Sequence, residues 1–277
     1  MPDFPFHQVD VFSNTPLRGN PLAVVLGADR LSTPQMAAFA NWTNLSETTF
    51  LLAPTAPGAD YRVRIFTPST ELPFAGHPTL GSCHVWLNAG GKPRGAEIIQ
   101  QCEAGLIRIR RDGERLAFAA PPLRRSGPLD PSMVTKIAQI LGIPAAAILR
   151  SAHADNGPGW VAVMLDSREA LLTLKPDFFA MSGINLGVIA PTAGADFQFE
   201  VRAFVPEVGV PEDPVTGSLN AALAQWFFAD GLAPAESYVV AQGTVLGRAG
   251  RVHIMRSGAD IWVGGDTVTC ITGTLTL

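Results

Sequence analysis

The sequence predicts an α+β protein made of two similar halves, each a many-stranded curved sheet around one buried helix. Three observations carry this expectation. First, Arg64-Ile65-Phe66-Thr67-Pro68 followed by His77-Pro78-Thr79-Leu80-Gly81-Ser82 returns as Arg202-Ala203-Phe204-Val205-Pro206 followed by Asp213-Pro214-Val215-Thr216-Gly217-Ser218. The offsets are 138 (Arg64 to Arg202) and 136 (Pro78 to Pro214) in a chain of 277 residues, and a third match, Asn44-Leu45 with Ala53-Pro54-Thr55 against Asn185-Leu186 with Ala190-Pro191-Thr192, is collinear with them. Self-similarity at a fixed spacing marks a repeated structural unit, and this alignment sets His77 opposite Asp213. Second, 27 glycines and 23 prolines punctuate short alternating segments, the pattern of strands rather than of long helices. Third, Leu80 to Trp86 and Leu219 to Trp226 are apolar on nearly every side, so each belongs inside a core.

The elements follow in order. In the first half, strands are expected at Phe6 to Phe12, Leu22 to Leu26, Thr48 to Leu52, Tyr61 to Phe66, Glu97 to Gln101, Ile107 to Arg111 and Leu116 to Ala119. Ser32-Thr33-Pro34 supplies an N-cap and an early proline for a helix carrying Met36, Phe39 and Ala40. Pro78 starts a helix to about Leu87. Pro121 to Pro131 breaks the periodicity and reads as the linker, and Asp130-Pro131 opens the next helix, with Val134, Ile137 and Ile140 on its apolar side. The second half supplies strands at Trp160 to Leu165, Asn185 to Ala190, Phe197 to Phe204, Ser237 to Ala241, Val252 to Met255, Ile261 to Gly264 and Thr267 to Thr274, with a helix over Leu219 to Phe228. The expected division is 1–120, 130–265 and a terminal strand, 266–277, crossing back to the first half. Two such halves invite an active site at their pseudo-twofold interface.

Composition narrows the function. Charged residues are 16% and hydrophobic residues 47% of the chain, against about 25% charged in ordinary domains, so a well-buried protein is expected. A net charge of −4 gives no reason to expect nucleic acid or an anionic membrane as partner. The start, Met1-Pro2-Asp3-Phe4-Pro5-Phe6, shows no secretory signal pattern, and a cytoplasmic protein is the expectation. Cys83, Cys102 and Cys270 are odd in number and contain no C-x-x-C, which points away from disulfides and zinc. His77 and His84 share a helix face, but no carboxylate or third histidine joins them at ligand spacing, and no metal is expected. No P-loop or G-x-G-x-x-G follows a strand, so no nucleotide cofactor is implied.

The chemistry-bearing residues sit in and near the repeats. Glu47 has no acidic counterpart in Asn185-Leu186-Gly187-Val188. Flanked by Leu45 and Phe50, its carboxylate is a candidate proton shuttle if desolvation raises its pKa; a solvated glutamate at a helix end is the plain alternative. In Gly76-His77-Pro78 the glycine allows close backbone approach and the imidazole is a candidate to face a cleft, although a lone histidine is often merely a hydrogen-bonded structural group. Asp213 is a second candidate, with helix capping as its alternative role. Gly217 and Ser218 bring N–H groups and a hydroxyl to a helix N-terminus, suited to a carboxylate. The duplicated Arg64 and Arg202 read as structural partners of an acid or carbonyl, and Arg108 to Arg115 as a solvated hairpin face.

Four ordered motifs then resemble a known family. Gly19-Asn20-Pro21-Leu22-Ala23-Val24, Asn44-Leu45-Ser46-Glu47-Thr48-Thr49-Phe50, Pro73-Phe74-Ala75-Gly76-His77-Pro78-Thr79-Leu80-Gly81 and Asp213-Pro214-Val215-Thr216-Gly217-Ser218 are similar to those of PhzF-like proteins of phenazine biosynthesis. The resemblance implies the diaminopimelate epimerase-like fold, two β-barrel-like halves each around a central helix, and a homodimer. It also implies a cofactor-independent isomerase acting on a small cyclic or unsaturated carboxylic acid. Glu47 would move the proton with His77 and Asp213 as catalytic partners, and Ser46, Gly76, Gly217 and Ser218 would bind substrate. Relatives on this fold that racemise use one cysteine per half; Cys83 lies inside the helix here, so two-thiol chemistry is not expected. The rivals are a racemase or epimerase using Glu47 and Asp213, and a non-catalytic small-molecule-binding or interaction protein.

Overall fold

Strand pairing explains how the short alternating segments are used. In the computed structural model, which describes residues 1–193, 196–206 and 210–277, the chain divides into two compact units, 1–119 with 264–277 and 120–263. The first unit contains β1 (Asp3–Val11), β2 (Asn20–Val25), α1 (Thr33–Thr43), β3 (Glu47–Leu52), β4 (Tyr61–Phe66), β5 (Glu71–Leu72), α2 (Gly76–Asn88), β6 (Ile98–Cys102), β7 (Gly105–Asp112) and β8 (Arg115–Ala119). β1 and β2 are antiparallel, with Val11 opposite Asn20. β2 and β3 are parallel, Leu22 opposite Glu47, which requires a crossover; α1 supplies it. β4 is antiparallel to β3 and β5 and parallel to β6, the second crossover being α2. Antiparallel β6, β7 and β8 complete the series.

The second unit contains α3 (Pro131–Leu141), β9 (Arg150–His153), β10 (Trp160–Met164), α4 (Arg168–Thr173), β11 (Asn185–Pro191), β12 (Phe199–Val205), β13 (Val210–Asp213), α5 (Gly217–Ala229), β14 (Ser237–Gln242), β15 (Gly250–Ser257) and all but the last two residues of β16 (Asp260–Gly265). Its pairings run in the same order: β9 antiparallel to β10, β10 parallel to β11 around α4, β11 antiparallel to β12, and β12 antiparallel to β13 and parallel to β14 around α5. β17 (Thr267–Thr276) then lies antiparallel beside β1.

The helices start where cap chemistry allows. Ser32 precedes α1 and exchanges hydrogen bonds with Gln35, and Asp130 precedes Pro131 of α3, which ends at left-handed Gly142. α2 is buried on nearly all sides from Gly76 to Cys83 and packs against β1, β2, β3, β4, β8 and β17. The sheet therefore curls around it. A methyl at Gly81 would lie 2.5 Å from Leu22 Cδ2 and 3.0 Å from Val9 and Val11, so glycine is what lets the helix seat this closely. A separate layer covers the outer sheet faces: Met36, Phe39 and Ala40 of α1 over Val25, Phe50 and Phe66 in the first unit, and Ile137, Ile140 and Leu141 of α3 with Leu171 of α4 over Val163, Leu186 and Val188 in the second.

The pairing order corrects the alignment that set His77 opposite Asp213. Both central helices have 13 residues, beginning at Gly76 and Gly217. His77 and Pro78 are thus the second and third residues of α2, whereas Asp213 ends β13 and Pro214 precedes α5. Glu71-Leu72-Pro73-Phe74-Ala75-Gly76 and Glu212-Asp213-Pro214-Val215-Thr216-Gly217 occupy corresponding places. Leu72 stands where the second unit has Asp213, and His77 where it has Ser218.

Candidate active site

Two polar clusters surround the starts of α2 and α5, one in each unit. In the first unit, Asp10 Oδ2 accepts the backbone N–H groups of Arg18 (2.7 Å) and Gly19 (2.8 Å) and closes the loop after β1. A Cβ at Gly19 would stand 2.1 Å from Val11 O, so only glycine permits this return. The loop delivers Asn20, fully buried, as the first residue of β2. Asn20 Nδ2 donates to His77 Nδ1 at 3.3 Å, and Ser46 donates to Asn20 Oδ1 at 3.4 Å. His77 Nε2 lies 3.3 Å from Glu47 Oε2, close enough for an ion pair but outside good hydrogen-bond alignment.

Protonation decides what that contact is. Burial pushes His77 down from an ordinary 6.5 to about 3, so the imidazole is neutral at pH 7. With Nδ1 accepting from Asn20, its proton sits on Nε2, the ring nitrogen nearer Glu47. Glu47 therefore meets an N–H dipole rather than an imidazolium. Its side chain is 15% exposed, enough for a ligand to reach it and little enough to be partly desolvated. It opens β3, four residues beyond the end of α1, and is not a solvated helix terminus. Asn185, the first residue of β11, occupies the matching place in the second unit and spends its amide on Pro158 O at 2.6 Å.

In the second unit, Asp213 Oδ2 accepts from Thr216 Oγ1 at 2.6 Å. Gln242, at the end of β14, braces the loop by bonding Asp213 O, Thr216 Oγ1 and Thr216 N. Ser218 is held from two sides, its Oγ accepting from Trp160 Nε1 (3.2 Å) and its backbone oxygen from Asn156 Nδ2 (2.8 Å). Thr216, three residues after Asp213, occupies the N-cap position of α5.

Both helices begin without a side-chain cap. Ala75, before α2, has no side-chain oxygen, and Thr216, before α5, makes no cap bond. Such helix ends present N–H groups and the positive end of the helix dipole, at Gly76 and His77 in one unit and at Gly217 and Ser218 in the other. The structure thus gathers Ser46, Glu47, Gly76 and His77 in the first unit, and Asp213, Gly217 and Ser218 in the second. Asn20, Thr216 and Gln242 join them without having been singled out for chemistry on sequence; the Gly-Asn-Pro motif was the signal for Asn20.

Other candidates fall away. Cys83 is fully buried and burial pushes its thiol up to about 12, which removes it as an acid or base near neutrality. Arg64 forms a two-pronged pair with Glu71 (2.6 and 2.7 Å) and Arg202 with Glu212 (2.8 and 2.9 Å), Arg202 also donating to Leu171 O and Leu174 O. Each guanidinium also lies over the phenylalanine two residues on. These arginines clamp β5 and β13 to the sheet, the structural role expected of them.

Residues 9–273 match the model of the phenazine biosynthesis-like family, PhzC-PhzF. The chain belongs to this family. It is 34% identical to the trans-2,3-dihydro-3-hydroxyanthranilate isomerase of Pseudomonas chlororaphis, over 97% of this chain and 98% of that one. It is 37% identical to the fission yeast Schizosaccharomyces pombe protein named antisense-enhancing sequence 1, over 99% of both. A crystal structure of the Bacillus anthracis PhzF-family protein superposes with a TM-score of 0.85 at 21% identity, covering both chains fully. The fold is accordingly the α+β, diaminopimelate epimerase-like fold of the PhzF proteins, and this family member is an enzyme of the isomerase class.

Proposed function

We propose that the protein is a cofactor-independent isomerase that moves a proton between two carbons of a small, cyclic or unsaturated carboxylic acid. The carrying observation is the Glu47–His77 contact: a partly buried carboxylate 3.3 Å from the ring of a buried, neutral imidazole. In this reading Glu47 removes a proton from one carbon and returns it to another. The imidazole stays neutral throughout, so it steadies the carboxylate by a dipole without locking it into a permanent ion pair. A general acid/base placed this way contributes typically 10²–10⁴-fold.

Asp213 polarises or orients the substrate in the same reading, and the N–H groups and hydroxyl of Ser46, Gly76, Gly217 and Ser218 bind its carboxylate and substituents. The uncapped starts of α2 and α5 support the choice of a carboxylic acid. The like order of pairings in the two units supports an internal duplication, with halves 1–120 and 130–265 and the terminal strand returning to the first. A homodimer is what the family resemblance implies.

The test uses trans-2,3-dihydro-3-hydroxyanthranilate, the compound in the names of the Pseudomonas relatives, and related unsaturated amino and hydroxy acids in deuterated water. Isomerisation with deuterium entering a C–H position is expected for at least one of them. Inversion at a single carbon without a double-bond shift would point to a racemase, and binding without exchange to a non-catalytic protein.

A further inference from the structure

The hydrogen bonds around Asp213 have a fixed direction. Gln242 is 1% exposed. Its Oε1 accepts from Thr216 N (3.0 Å) and Asn220 Nδ2 (2.9 Å), and its Nε2 donates to Asp213 O (3.1 Å) and Thr216 Oγ1 (2.9 Å). A backbone N–H can only donate and a backbone carbonyl can only accept, so the Gln242 amide cannot be turned round. Thr216 Oγ1 is then an acceptor toward Gln242, and its single hydrogen goes to Asp213 Oδ2 at 2.6 Å, a length typical of a charge-assisted bond. A proton on Oδ2 would face this hydroxyl hydrogen head-on.

We infer that Thr216 and Gln242 are positioning residues for the reaction: their one-way chain, Gln242 to Thr216 to Asp213, commits Oδ2 as an acceptor and so fixes the orientation of the Asp213 carboxylate. This rests on the proposed role of Asp213 as a substrate-orienting group.

The first unit shows that the loop can be built without this chain. Glu71 to Gly76 spans the same number of residues as Glu212 to Gly217, yet carries Leu72 and Ala75 in place of Asp213 and Thr216. The hydroxyl relay occurs where there is a carboxylate to orient.

Thr216→Val keeps the shape and removes the donor; Thr216→Ser keeps the donor. With an isomerised substrate, Thr216→Val is expected to lower kcat by about 10- to 100-fold, the scale of a hydrogen bond to a charged group, with KM changed less than about 3-fold and Thr216→Ser near wild type. In an Asp213→Asn background Thr216→Val should cost little more, because the two act as one unit. Carbon-13 NMR of the aspartate carboxyls, with the Asp213 signal assigned by Asp213→Asn, reads the same relay without turnover: the signal should move in Thr216→Val and not in Thr216→Ser. An unmoved signal in Thr216→Val, or equal losses in the Val and Ser variants, would overturn the positioning role. Near wild-type turnover in Asp213→Asn would instead overturn the reading of Asp213 itself.

Discussion

Replacing His77 by glutamine should flatten the dependence of stability on pH in the acid range. His77 titrates near 3 in the folded protein because burial penalises its charged form, and near 6.5 once unfolded. The folded value is the lower one, so below pH 6.5 the unfolded state binds the extra proton. Stability from this group is complete above about 6.5 and is lost as the pH falls toward 3. At about 1.4 kcal/mol per unit, the full span sets an upper limit near 5 kcal/mol. Within the window one extra proton corresponds to a slope of up to about 1.4 kcal/mol per pH unit. The assay is urea unfolding at intervals from pH 7.5 to 4.5 for the wild type and His77→Gln. His7, His84 and His153 are also lowered by burial and contribute equally to both proteins, so the difference in slope isolates His77. A wild-type curve steeper by up to one proton supports the neutral imidazole. Identical slopes would refute it, whatever the variant's stability at pH 7.

Two further predictions test the scaffold and the chemistry. The Arg202–Glu212 pair is nearly fully buried, so Arg202→Met should cost about 3–5 kcal/mol by stranding a buried carboxylate, while Arg202→Met with Glu212→Leu should recover most of the loss; denaturant titration of the single and double variants decides. A protein with Cys83, Cys102 and Cys270 all changed to serine should keep its turnover apart from packing losses, and alkylation of the native protein should not inactivate it; substrate-protected inactivation would revive thiol chemistry.

Local chemistry made the long elements legible. Ser32 and Asp130 before their helices, the all-round apolar runs of α2 and α5, and the alternating strands all announced themselves through caps and periodicity. β5, with two residues, and α4, with six, are too short for any period to show. The repeat was visible but misaligned by five residues at the motif, because two Pro-x-x-Gly-Ser strings coincide more obviously than Glu-x-Pro-x-x-Gly does. The salt bridges to Arg64 and Arg202 show which glutamates correspond. At the site, Glu47 stood out as an acid without a counterpart and Asn20 only through its Gly-Asn-Pro motif, whereas the role of Gln242 depends on a neighbour 26 residues away and has no local signature.

The central claim is that Glu47 carries the proton, and Glu47→Gln tests it most directly. The amide keeps the size and hydrogen-bonding capacity but cannot take and return a proton near neutral pH. Measured by deuterium incorporation with an isomerised substrate, turnover should fall by roughly 10²–10⁴-fold while substrate binding, measured by calorimetry, is retained. Near wild-type exchange in Glu47→Gln, together with its abolition in Asp213→Asn, would contradict the assignment.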